Sequence, residues 1–187
     1  MRYLFKGMFL VLLALCTTLP ATADGGDDAL KAAVTANLEE TAKKLIALAE
    51  AAPEDMYGWR PTVEVRTLSE VYMHVVSANL MLPGALGAAP PEGVEIGENP
   101  IATAKMWEET ITSKDEVVAK LKESFAYLTE ALGSLEDLDA EVQIFGPPQP
   151  KRAYYMILLG HAHEHLGQAI SYTRSMGLVP PWSQQAE

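Results

Sequence analysis

The chain of 187 residues has a single cysteine, a shortage of basic side chains and only one conspicuous apolar run. That cysteine, Cys16, lies in an N-terminal stretch that reads as a removable signal. Once it is gone, no disulfide and no thiol nucleophile remains, and packing alone must hold the fold. Lysine and arginine number 14 against 25 acidic residues, and losing Arg2 and Lys6 with the signal leaves 12 against 25, or −13. Such a surface repels phosphate backbones and anionic lipid, which excludes nucleic acid as a partner. The apolar run, Met8–Leu15, falls short of the about 20 residues a membrane span needs. Internal repeats, low-complexity segments and convincing strand patterns are also lacking.

The N-terminal stretch has the parts of a secretory signal: Arg2 and Lys6, then the apolar run, then the small residues Ala21-Thr22-Ala23. Cleavage after residue 23 predicts a periplasmic or secreted domain of residues 24–187 with no stable membrane association. Its 164 residues (187 less 23) suffice for one core. Lipid attachment at Cys16 is a second reading, opposed by Leu15 where that cleavage wants a small residue. A retained anchor is the third.

The rest reads as an all-α, four-helix bundle with a long crossover between helices two and three. Asp27 or Asp28 can cap a first helix whose Leu30, Val34, Leu38, Leu45 and Leu48 share a face, ending near Pro53. Trp59-Arg60-Pro61 follows as an extended stretch. Thr67 and Glu70 form a capping box for the second helix, which Pro83-Gly84 is expected to stop near Leu82. Its inner stripe reads Val71, His74, Val75, Ala78 and Met81 or Leu82. Residues 83–112 are rich in proline and glycine, with one or two helical turns from Asn99-Pro100 to Trp107. Ser113 and Glu116 make a second capping box. Val117, Leu121, Phe125, Leu128, Leu132 and Leu135 then line the third helix, and Gly133 is a place for it to fray or end. A rigid Gly146–Pro150 lead-in precedes the last helix, about Arg152 to Met176, which Gly177 closes. The tail Leu178–Ser183 is expected over the end of the bundle.

Three of the four histidines fall within Gly160–Gln168. His161 and His165 lie one helical turn apart on a face shared with Tyr154, Leu158, Gln168 and Tyr172, whereas His163 points away. Two imidazoles so stacked can share one metal ion. His74, on the second helix, would complete a three-histidine centre if the fold brings it to the pair. His161-x-x-Glu164-His165 also matches the inverted zinc-peptidase pattern, with Glu164 as base. Glu70 is either the capping acid or an acceptor for His74. Gln168 either orients a ligand or bridges helices. Trp107, Trp182 and the 83–112 segment are expected to cover the pocket.

From Trp59 to Ser183 the sequence resembles the DinB-like family of bacterial four-helix bundles. The matching pieces are Trp59-Arg60-Pro61, Arg66–Glu70 leading to His74, His161–Gln168, and Arg174–Ser183. The resemblance implies an up-down-down-up bundle, often a homodimer, with a divalent metal such as zinc or nickel on one histidine of the second helix and two of the fourth. Those are His74, His161 and His165. Some relatives transfer low-molecular-weight thiols, including bacillithiol and mycothiol. The expectation is an exported metal-dependent hydrolase or thiol S-transferase acting on a small molecule. The alternative is a bundle that binds a metal or small ligand without chemistry.

Overall fold

The computed structural model describes residues 24–184, so the expected signal sequence lies outside the described residues. Four long helices, α1 (Asp24–Ala51), α2 (Leu68–Ala85), α4 (Lys114–Ser134) and α5 (Lys151–Ser175), form the bundle, and a shorter α3 (Pro100–Thr110) occupies the crossover. Helices α4 and α5 each pack against both α1 and α2, while α3 lies along α2. Among the described residues no helix is long and apolar enough to cross a membrane.

The α4 stripe forms as its spacing predicts: Val117, Leu121, Phe125, Leu128, Leu132 and Leu135 are all buried. Truncating one of these leucines to alanine removes transfer energy and leaves a cavity, at a cost of about 2–5 kcal/mol. The helix runs through Gly133 to Ser134. Val34, Leu38, Leu45 and Leu48 of α1 are likewise buried. The first helix, however, is already formed at Asp24. Asp27 is therefore inside it and, instead of capping, pairs with Arg152 Nη2 of α5 at 3.1 Å.

Helix α2 departs further from the amphipathic reading. Tyr72, Met73, Val76 and Leu80 are buried as well as Val71 and Val75, because α3, α4 and α5 surround it. Ala78, Met81, Leu82 and His74 are only half-buried. The Thr67 cap is present, with Glu70 N donating to Thr67 Oγ1 at 3.2 Å and Thr67 N to Glu70 Oε2 at 2.6 Å. Pro83 does not stop the helix, because it sits in the last turn. The end comes at Gly87 (φ +96°). There Ala88 N reaches Pro83 O and Gly87 N reaches Gly84 O, both at 3.0 Å, a Schellman closure. Helix α5 ends the same way, Leu178 N on Thr173 O and Gly177 N on Arg174 O, with Gly177 at φ +88° as expected.

Two further expectations change. Ser113 stands at the N-cap of α4 without a side-chain cap bond, and the Lys114 amide instead meets the Glu54 carboxylate at 3.2 and 3.3 Å. The Pro-rich lead-in forms half of a minimal antiparallel hairpin, Glu141–Val142 against Gln149–Pro150. After α5 a short 3-10 turn, Pro181–Ser183, packs against α1.

Candidate metal centre

Helix α5 sets His161 above His165, their ring centroids 4.4 Å apart and the planes at 70°. From α2, His74 enters between them, its centroid 5.1 Å from His161 and 4.9 Å from His165. One nitrogen from each ring lies within 4.8 Å of the other two, so a single ion could be held by all three. His163 lies on the other side of α5, its Nε2 3.2 Å from Thr41 Oγ1 on α1 and its Nδ1 2.9 Å from Leu159 O.

The crossover helix has a larger part than a cover. Asn99 caps α3, its side chain accepting from Ala102 N, and three turns rather than one or two carry Glu108 to His74. Glu108 Oε1 lies 2.8 Å from His74 Nδ1, and Arg66 Nε donates to Glu108 Oε2 at 2.8 Å. Burial pushes the Glu108 carboxyl up, but the hydrogen bonds from His74 and Arg66 outweigh it and hold the group below its ordinary value, hence ionised. An ionised acceptor makes His74 Nδ1 the N–H and leaves the lone pair on Nε2. Gln168 Oε1 does the same for His165, 2.8 Å from its Nδ1. Gln168 Nε2 then donates to Tyr172 Oη at 3.1 Å, and Trp59 meets the Tyr172 ring edge-on at 5.3 Å.

Burial lowers His161 to about 3, with help from His165, His74 and Arg66. His165 is also lowered, chiefly by burial, against the raising effect of its Gln168 bond. Both are neutral near pH 7. His161 Nδ1 is buried without a hydrogen-bond partner, a state that costs about 1–3 kcal/mol for an ordinary polar atom. Three nitrogen donors, two braced from behind by fixed acceptors, fit a borderline divalent cation such as zinc or nickel.

The structure decides between the alternatives the sequence left open and changes others. Glu70 caps α2, and the acceptor for His74 is Glu108, which no local pattern marked. Gln168 both orients His165 and bridges to Tyr172. Glu164 is exposed, and the third imidazole comes from α2, an arrangement distinct from the inverted peptidase pattern. Trp107 lines a groove of about 420 Å³ with Met73, Val76, Leu80 and Met106, which the histidines do not line. Trp182 is 41% exposed in the turn against α1, so the aromatic joined to the site is Trp59.

Bundle and cluster together define a class, helical bundles with three histidines gathered from two of their long helices. The profile of the DinB superfamily matches residues 37–169, and the chain belongs to that superfamily. Its fold is shared by the crystal structure of a DinB-like protein from Bacillus cereus ATCC 10987, at 22% identity and a TM-score of 0.63, covering 82% of this chain and 95% of that one. A DinB-like protein from Bacillus subtilis gives 19% identity and a TM-score of 0.60, covering 82% of this chain and 99% of that one. At these identities the likeness carries the fold alone. No curated protein matches the sequence significantly.

Proposed function

We propose that His74, His161 and His165 hold a divalent metal ion, zinc or nickel, and that this exported protein uses it in hydrolysis of, or thiol transfer to, a small-molecule substrate. The observation that carries the reading is the convergence of three imidazoles whose ligand nitrogens lie within 4.8 Å of one another, two of them with Nδ1 already committed to Glu108 and Gln168. A bound cation would supply Lewis acidity, and three neutral donors would leave its charge undiminished. The chain's own residues do the rest. Glu108 and Gln168 fix ring orientation and tautomer, and the side chain of His74, 29% exposed, leaves one edge of the cluster open to solvent. Export is supported by the N-terminal signal pattern.

One observation favours binding without chemistry: the apolar groove between α2, α3 and α4 is not lined by the histidines. The test is elemental analysis of protein purified without a histidine tag, followed by turnover of thiol electrophiles and esters by loaded and metal-free samples. About one equivalent of metal, lost in His74→Ala, together with turnover above the metal-free control supports catalysis. Stoichiometric metal without turnover supports the binding reading, and no metal overturns the three-histidine metal site.

A further inference from the structure

We propose that Arg66 is the anion-docking residue of the histidine site, and that the site takes small molecules carrying a carboxylate beside the group that approaches the histidines. The proposal rests on the metal-site reading above and names the substrate class it serves. Arg66 is the residue before the Thr67 cap of α2, and its guanidinium is tied to the cluster through one carboxylate. Glu108 gives Oε1 to His74 and Oε2 to Arg66 Nε, each at 2.8 Å. The two oxygens of a carboxylate lie close together, so the guanidinium stands beside the His74 ring.

Only Nε is used in that bond. Among the described residues the two terminal nitrogens of Arg66 have no hydrogen-bond partner, and the side chain is 42% exposed. A guanidinium held at one edge with its fork turned free is suited to bidentate carboxylate recognition, which a lysine point charge does not reproduce. The neighbouring arginine is differently placed, since Arg60 approaches Glu70 at 3.9 Å and hydrogen-bonds the Val63 and Val65 carbonyls. The overall charge is −11. A preference for anions at this site has to be made locally, because the molecule as a whole repels them.

The experiment compares 3-mercaptopropionate with its uncharged counterpart 3-mercapto-1-propanol. Both are titrated into full-length cobalt(II)-loaded protein, followed by the visible cobalt spectrum. Wild type should bind the carboxylate-bearing thiol at least about tenfold more tightly. Arg66→Met should bring the ratio to within about twofold of one, and Arg66→Lys should leave it intermediate, cobalt binding being measured in each. A ratio near one in wild type, or a full ratio in Arg66→Met, overturns the proposal. If wild type binds no cobalt, the metal reading has failed and the docking role is read on metal-free protein by NMR of the Arg66 Nε–H group. A saturable shift with 3-mercaptopropionate and none with the alcohol upholds it, and no shift overturns it.

Discussion

The two faces of α5 hold histidines under opposite conditions. On the α1 side both ring nitrogens of His163 have partners, Thr41 Oγ1 and Leu159 O. On the α2 side His161 and His165 are turned toward His74, with ring centroids 4.4–5.1 Å apart, and His161 Nδ1 has no partner. A histidine whose hydrogen bonds are complete is a structural residue. Three imidazoles brought together at the cost of a buried orphan nitrogen are arranged for something external to them. Residues two positions apart thus belong to different levels of organisation, one to helix packing and the other to chemistry.

The largest effect should come from breaking the α2 side. Alanine at His74, His161 or His165 is expected to weaken divalent-metal affinity by at least about 100-fold, because the third donor closes a chelate across two helices. His163→Ala should stay within about twofold of wild type. Metal titration of the four variants decides it, and loss of metal in His163→Ala would erase the distinction between the faces.

Next in size are the two acceptors behind the rings. Glu108→Ala should cost about 10-fold to 100-fold in metal affinity, as is usual for removal of a partner that orients a ligand. Gln168→Ala should cost less, since a neutral amide oxygen is a weaker acceptor than an ionised carboxylate. Titration of both variants tests the order, and equal losses would mean that the charge of Glu108 is not what matters.

Acid should act on the α2 side of the metal-free protein. His161 is held at about 3 by burial, then by His165, His74 and Arg66, whereas an unfolded histidine titrates near about 6.5. Between those values the unfolded chain binds the extra proton, so stability falls as pH drops through that window and is level above it. Ionised Glu108, across the cluster on α3, is the charge of opposite sign to Arg66. Thermal melts of metal-free protein from pH 7.5 to 4 should show the decline, with a shallower slope in His161→Leu. Equal slopes would remove His161 as its source.

What was legible in the sequence follows the range of the interactions. The Thr67–Glu70 box closes within three residues and could be read directly. Ser113 presented the same pattern, yet Glu54, 60 residues away, took the Lys114 amide. The α4 stripe was readable because one side of that helix is solvated. That of α2 was blurred because three helices surround it. For the site, spacing alone announced the His161 and His165 pair, and the resemblance added His74. Nothing local pointed to Glu108, whose partners lie 34 and 42 residues back. Helical periodicity cannot encode a contact made by a crossover segment, because the register of that segment is set by its docking on α2.

The smallest expected effect is on the α1 side, where Thr41→Val removes a hydroxyl from a site only 2% exposed with little change in shape. Thr41 Oγ1 contacts Asn37 O at 2.8 Å and His163 Nε2 at 3.2 Å. The hydroxyl has one proton, so donating it to His163 Nε2 excludes donating it to Asn37 O, a carbonyl that its own helix already satisfies; the net loss is therefore chiefly the link between α1 and α5, about 0.5–1.5 kcal/mol. For a chain of this length that is a fall in Tm of a few degrees. Metal affinity should not follow. Ala162, Leu166 and Ala169 remain buried along α5, and His165 keeps its own brace from Gln168, so loss of one hydrogen bond at His163 gives the helix no reason to move. A lowered Tm with unchanged affinity is therefore the signature of two independent faces. A metal affinity that drops in step with stability would mean that α5 transmits strain between them, and that His163 belongs to the site after all.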